Sequence, residues 1–193
     1  MRPLYALALA LGAATTAVAQ DRKPHRIEID GIVGYTAVNV EQWAEFPRID
    51  EMSHIAGGVA LRGLLTYLGS THVGLEVGTE QLFTYRHQQE LPGQPLTTTE
   101  ATIAGFHILV VGRFVELERY SWDLGFGWYA LGDAALPGLM TNLNYAILRR
   151  ARFSIPVGAR LNVILNEPAI AATVMAKIGI SIPLSREPRA PVR

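Results

Sequence analysis

From Trp122 to Leu131 the chain reads WDLGFGWYAL. One parity holds Trp122, Leu124, Phe126, Trp128 and Ala130; the other holds Asp123, Gly125, Gly127, Tyr129 and Leu131. Alternation with period two predicts a strand with two chemically distinct faces. The same period recurs along the chain. In 27–37, Ile27, Ile29, Val33, Tyr35 and Ala37 oppose Glu28, Asp30, Gly34 and Thr36. In 53–68, Ile55, Val59, Leu61, Leu65 and Tyr67 oppose His54, Gly58, Arg62 and Thr66. In 72–88, Val73, Leu75, Val77, Phe83 and Tyr85 oppose Gly74, Glu76, Gly78, Glu80, Thr84 and Arg86.

The segment 99–115 is apolar on both sides at 108–111. Its better apolar face is Ala104, Phe106, Ile108, Val110 and Phe114, against His107 and Arg113. Further on, 141–149 sets Leu143, Tyr145 and Ile147 against Asn142 and Asn144, and 153–165 sets Phe153, Ile155, Val157, Leu161, Val163 and Leu165 against Ser154, Gly158, Arg160 and Asn162. The last, 169–184, sets Ile170, Val174, Ile178, Ile180, Ile182 and Leu184 against Thr173, Lys177, Gly179 and Ser181. No segment of ten or more residues keeps a helical period. The pattern predicts eight strands. Tight connections fall near Gly69-Ser70, Glu116–Arg119 and Arg149–Arg152; long or turn-rich ones fall at 41–52, 89–98 and 132–140. The final connection, Asn166-Glu167-Pro168, is short.

The N-terminus changes where such strands belong. Arg2, the apolar run LYALALALGAA and Ala17-Val18-Ala19 read as a cleaved secretory signal peptide over residues 1–19. A short segment, 20–25, then leads into a strand-rich region, 26–184, and a Pro- and Arg-rich tail, 185–193. Without Arg2 the chain holds 16 basic and 17 acidic residues, so no basic field points to nucleic acid. There are no cysteines, hence no disulfide framework and no thiolate metal site. Charged residues make up only 18% of the chain and hydrophobic ones 49%. Past the signal no apolar run is long enough for a spanning helix.

Two architectures fit eight amphipathic meandering strands. A soluble ligand-binding barrel turns its apolar face inward; a membrane barrel turns it to lipid and fills its interior with polar side chains. The second fits three features better. The non-apolar face is rich in glycine, as the narrow interior of an eight-stranded barrel requires. Its charges balance: Glu28, Asp30, Glu76, Glu80 and Asp123 against Arg62, Arg86, Arg113, Arg160 and Lys177. Folding about the tight turns brings Arg62 near Glu76 and Arg113 near Asp123, as charges withdrawn from water demand. Finally, aromatics sit near strand ends, with Tyr67, Phe114, Tyr120, Trp122 and Phe153 on the tight-turn side and Phe83, Tyr85, Trp128 and Tyr145 toward the other. This suggests interfacial girdles, with Tyr67, Tyr85, Phe114, Trp122, Trp128 and Phe153 as the main candidates.

The last strand, VMAKIGISIPL, resembles the C-terminal assembly signal of bacterial outer-membrane β-barrels, with Val174, Lys177, Gly179, Ile182 and Leu184 in the patterned places. It departs in having Pro183 within the signal and nine residues after Leu184 instead of a terminal aromatic. The region as a whole resembles the small OmpA- and OmpX-like barrels. The resemblance implies an all-β, eight-stranded, antiparallel up-and-down transmembrane barrel in the outer membrane of a Gram-negative-type bacterium. It also implies contacts with outer-membrane lipids and lipopolysaccharide, and with the β-barrel assembly machinery and periplasmic chaperones during biogenesis.

Candidate chemistry is sparse. Some barrels of this size modify lipids, but a deacylase-like dyad needs His and Ser two residues apart on one strand, and no His-x-Ser occurs. His54, His72, His87 and Glu51 make no metal spacing, and no phosphate-binding glycine motif is present. No cofactor and no catalytic residue is expected. His107 could bind an interior proton, although a lone strand histidine is more often only hydrogen-bonded. Trp43 and Phe46 in the 41–52 loop are candidate surface anchors. The expected function is structural, in envelope integrity, with surface binding through loops, an interior plugged by paired charges and a monomeric state. A narrow channel, a lipid-modifying enzyme and a secreted soluble barrel are the alternatives.

Overall fold

The computed structural model describes residues 25–38, 49–67, 71–89, 97–166 and 169–184. The expected signal peptide, the candidate anchors Trp43 and Phe46, the expected Gly69-Ser70 turn and the tail 185–193 lie outside the described residues. Within them, nine strand segments are ordered β1 (Arg26–Val38), β2 (Ile49–Ser53), β3 (Ile55–Tyr67), β4 (Thr71–Gln89), β5 (Thr97–Glu116), β6 (Tyr120–Leu131), β7 (Ala134–Arg149), β8 (Ser154–Asn166) and β9 (Ala169–Pro183). Segments β2 and β3 run in succession along the same edge of β4, with Ser53 opposite Thr84 and Gly57 opposite Gln81. They form one barrel strand interrupted at His54, which is tied to β1 through Thr36 N–H donating to the His54 carbonyl at 2.8 Å.

All pairings are antiparallel between sequence neighbours, and β1 closes on β9 from Arg26↔Pro183 to Val38↔Ala171. The result is a closed eight-stranded up-and-down barrel. Closure leaves no free edge along the wall, the condition for placing strands in hydrocarbon. The apolar parity points outward on every strand. Val33, Leu61, Leu75, Val110, Phe126, Leu143, Leu161 and Ile178, one from each barrel strand, are all exposed. Such a continuous apolar exterior is stable only when lipid or detergent covers it. Folded protein is therefore expected to require detergent and to shift its mobility on SDS gels after boiling. A monodisperse detergent-free monomer would contradict the outward apolar face.

The interior is polar in the middle and apolar toward one end. Call the end carrying His25 and Leu184 the terminal end; the Leu184 amide donates to the His25 carbonyl there at 2.7 Å. Tight turns after β5 and β7 close at the same end, through Leu117 N–H to Tyr120 O and Arg150 N–H to Phe153 O, both at 2.8 Å. Toward the opposite, far end the lumen holds apolar side chains: Leu82, Phe83, Tyr85, Leu131, Ile164 and Ala171, with Met52, Ala101, Ile103 and Leu136 packed against them.

Three expectations fail here. The turn-rich connection expected over 132–140 is mostly strand: β6 and β7 are joined by Gly132-Asp133 alone, with Gly132 in the left-handed region at φ 60° that glycine adopts freely. Pro137 lies one residue before pairing with β8 begins at Gly138, so its missing N–H costs no bond to that neighbour. The last part of the loop expected over 41–52 is the strand β2. Tyr145, expected at the far end, sits at the terminal end opposite Tyr120, with ring centroids 4.9 Å apart.

Candidate functional site in the barrel interior

Strand parity fixes which side chains enter the lumen, and inward parity brings Glu28 and Asp30 from β1, Arg62 from β3, Glu76 and Glu80 from β4, and His107 and Arg113 from β5. Asp123 comes from β6, Asn144 from β7, Arg160 and Asn162 from β8, and Thr173, Lys177 and Ser181 from β9. All of these are buried. Every strand of the barrel therefore contributes to one polar cluster.

Arg62 is its centre. Nε donates to Glu76 Oε2 at 2.8 Å, and Nη1 donates to Asp123 Oδ2 at 2.7 Å and to Glu28 Oε2 at 3.1 Å. Nη2 makes a further short contact with Glu76, and Asp30 Oδ2 lies 3.7 Å away. Arg113 grips Glu28 in fork geometry, both N–O distances being 2.9 Å, and donates from Nε to Asp123 at 2.7 Å. Planar, bidentate guanidinium groups suit this task because one cation can satisfy several carboxylate oxygens at fixed angles. Arg160 Nη1 donates to Glu76 at 2.6 Å and its Nε to Asn162 at 2.9 Å; Asn162 in turn donates to both oxygens of Glu80. Lys177 Nζ donates to Asp30 at 2.7 Å across the β1–β9 seam, so this ion pair ties the strands that close the barrel.

Glycine supplies the room. Gly179 stands opposite Asp30, and a Cβ there would come within 2.0 Å of Asp30 Oδ1 and 2.7 Å of the Ile29 carbonyl. Asp30 cannot swing away without leaving Lys177 and Arg62. Gly179→Ala is thus expected to destabilise the barrel by about 1–3 kcal/mol, the usual cost of overpacking, measured by denaturant unfolding in lipid vesicles. A neutral result would mean that Asp30 has a second comfortable rotamer.

Nine of the ten charges expected inside are there, and Arg62↔Glu76 and Arg113↔Asp123 are cross-strand partners. Arg86 is not. It lies on the outer surface with its side chain about half exposed and pairs with Glu100 at 3.1 Å. Tyr85 is likewise displaced from the expected interface girdle: it is buried in the lumen at 4% exposure. Both errors have one cause. Gln81 faces Ala104 and Phe83 faces Ile103, so Leu82 is an extra residue in β4, a β-bulge that turns Leu82 and Phe83 both inward. Beyond it odd positions point in and even ones out, sending Tyr85 to the lumen and Arg86 to the exterior.

The remaining girdle candidates are outward. Phe114, Trp122 and Phe153 lie toward the terminal end, with the Phe114 and Trp122 rings 6.2 Å apart and Trp122 Nε1 donating to Thr141 Oγ1 at 2.8 Å. Trp128 is exposed toward the far end. The Tyr67 side chain is not among those described. In the expected assembly signal, Val174, Ile182 and Leu184 are exposed while Lys177 and Gly179 face the lumen.

The polar partners were the harder part to anticipate. His107, a lone histidine in sequence, sits with Nε2 3.0 Å from Glu76 Oε1 and Nδ1 3.7 Å from Glu80. Its parity with Arg113 signals the lumen, but nothing local signals those two carboxylates. Near the terminal end Arg26 pairs with Glu116 at 3.3 Å, and His72 approaches Glu116 at 3.4 Å. With Arg86 outside, the cluster sets five carboxylates against Arg62, Arg113, Arg160 and Lys177, with His107 between Glu76 and Glu80. Each carboxylate has at least one cation or amide partner, although Asp30 Oδ1 has none, and such cross-strand pairing suits cohesion.

No family model matches the chain, and neither does any curated protein. Among solved structures it is similar to Neisserial surface protein A, at 12% identity over 83% of this chain and 97% of that one, with a TM-score of 0.38. It is also similar to the outer membrane protein OprG from Pseudomonas aeruginosa, at 9% identity over 86% and 98%, with a TM-score of 0.44. The architecture itself, all-β and antiparallel, closed at β1–β9 and apolar on the outside, is that of a small outer-membrane β-barrel.

Proposed function

We propose that this chain is an integral outer-membrane barrel with a structural role in envelope integrity, its terminal end in the periplasm and its lumen closed to solutes. The observation that supports it is how side chains occupy the lumen. Polar side chains from all eight barrel strands, with arginine–carboxylate pairs at their centre, occupy its middle, and the apolar Leu82–Phe83–Tyr85 cluster occupies it toward the far end. Eight strands leave an interior that side chains can fill. The reading is non-enzymatic, with the lumen's carboxylates committed to partners. Its partners are outer-membrane lipids and lipopolysaccharide, and, during biogenesis, periplasmic chaperones and an assembly machinery that reads Val174, Lys177, Gly179, Ile182 and Leu184.

Planar-bilayer recordings of refolded protein should show no steady conductance. Deletion in the native host should raise sensitivity to detergents. Sustained single-channel steps would replace this reading with a pore, and an unchanged detergent sensitivity would remove the envelope role.

A second reading, binding at the far end, is favoured by one feature. Strands β4 and β5 stay paired out to Gln89↔Thr97, whereas β6 leaves β5 at Gly105↔Leu131. Thr98–Ala104 thus have, among the described residues, no strand on the side away from β4. Such an edge can accept an extended peptide by main-chain pairing. Cells displaying the chain should adhere to immobilised protein ligands, and replacing 86–100 by a short Gly-Ser turn should abolish adhesion. Equal adhesion by both would sink it.

A further inference from the structure

The charge on the barrel's outer surface is unevenly placed. At the terminal end, the turn after β5 carries Arg119, and the end of β7 with its turn carries Arg149, Arg150 and Arg152, all exposed. Their acidic company is slight: Glu118 is exposed in the same turn, while Glu116 is engaged by Arg26. The two turns are bound into one platform. Ala146 N–H donates to the Arg119 carbonyl at 2.8 Å, Arg149 donates to the Glu118 carbonyl, and Arg119 Nη1 donates to the Tyr145 hydroxyl at 3.3 Å. The third connection at this end, Leu68-Gly69-Ser70, carries no charge in its sequence. Among the described residues, the exposed arginines of this rim thus lie on its β5–β8 side.

Its surroundings say what it meets. Leu117, Tyr120, Ile147 and Phe153 are exposed next to it and continue the lipid-facing surface. The arginines thus sit where that surface ends, at the depth of lipid headgroups, and guanidinium is the side chain best matched to a phosphate in fork geometry. The chain also leaves the barrel at this end: three more arginines, Arg186, Arg189 and Arg193, follow Leu184 in the sequence.

We propose that Arg119, Arg149, Arg150 and Arg152 form a binding site for the phosphodiester headgroups of anionic phospholipids in the membrane leaflet at the terminal end. The site rests on the outward apolar face, not on the envelope role, and would hold for a channel equally. Cations at a membrane surface each add to the attraction for anionic lipid, and several together give a selective patch.

The test is native mass spectrometry of the full-length protein, folded in neutral detergent and titrated with phosphatidylglycerol or phosphatidylcholine. Phosphatidylglycerol should be retained on the order of tenfold more than phosphatidylcholine. The variant R119Q/R149Q/R150Q/R152Q should lose that preference while keeping its heat-dependent gel shift, since all four residues are exposed at the rim, with Arg119 and Arg149 at the mouth of the lumen and outside the charge cluster centred on Arg62. If that variant fails to fold, R150Q/R152Q, which leaves the bonds between the turns intact, should weaken the preference by itself. Equal retention of the two lipids, or a preference that survives in the folded variants, would overturn the proposal. Displacement of the lipid by millimolar inorganic phosphate would also overturn it, assigning the patch to free anions. So would capture of an acidic cell-wall polymer by wild type without any lipid preference.

Discussion

Arg62→Ala is expected to lower the unfolding free energy by about 3–5 kcal/mol, the cost of stranding buried charges by removing their partner. Arg62 is fully buried and serves Glu28, Glu76 and Asp123 at once, with Asp30 close by. Truncation removes the one cation that these strands share and leaves their carboxylates repelling each other in a confined space. Arg113, Arg160 and Lys177 cannot move in to replace it, because each is already committed to its own partners. Arg62→Lys should fall between wild type and alanine, since an ammonium keeps the charge but cannot fork toward three strands. The built-in control is Arg86→Ala, which breaks a half-exposed pair with Glu100 and should stay within about 0.5 kcal/mol. Reversible denaturant unfolding in vesicles, followed by tryptophan fluorescence, reads all three. Similar small effects at Arg62 and Arg86 would mean that water reaches the lumen and screens its charges.

The second large effect lies on the other side of the wall. Phe126→Arg should cost about 2–4 kcal/mol, as for a cation placed at the middle of a lipid-facing strand. Phe126 is 58% exposed and lies between Trp122 and Trp128, which stand about 20 Å apart at the ~3.3 Å rise of a strand. That span approaches the ~25 Å height of an outer-membrane apolar band, so Phe126 falls well within it. Trp128→Arg, near the headgroups, should cost only about 0–1 kcal/mol from charge placement. The depth dependence is the decisive part: a barrel whose outer face met water would tolerate both substitutions alike.

The contrast between Arg62 and Arg86 also shows how far local pattern carries. Arg62 and Glu76 lie at equal distances from Gly69, and Arg113 and Asp123 flank a three-residue turn, so hairpin register can be counted from the sequence. Glu28 with Arg113, 85 residues apart, and Arg160 with Glu76, 84 apart, cannot be counted in this way. They meet across the lumen, and only the shear and closure of the complete barrel bring them into reach. Leu82 is similarly silent in sequence. One additional residue reverses the parity of everything beyond it in β4, which moved Phe83 and Tyr85 into the far-end apolar cluster and Arg86 outward.

The gap between β6 and β7 failed for a related reason. Pro137 and Gly138 are turn residues by propensity, yet Gly138 is buried within a strand where a Cβ would lie 2.5 Å from the Tyr129 ring. A glycine chosen for space looks the same in sequence as one chosen for a turn.

What the sequence determined by itself was the set of strands, their two faces and the membrane as the solvent of the apolar one. Those follow from period-two geometry, a property of neighbouring residues. The tertiary structure alone decided which charges share a partner, where the lumen turns apolar and which arginine stands outside. Those depend on register summed around a closed sheet, where a single bulge in one strand reassigns side chains to lumen or lipid.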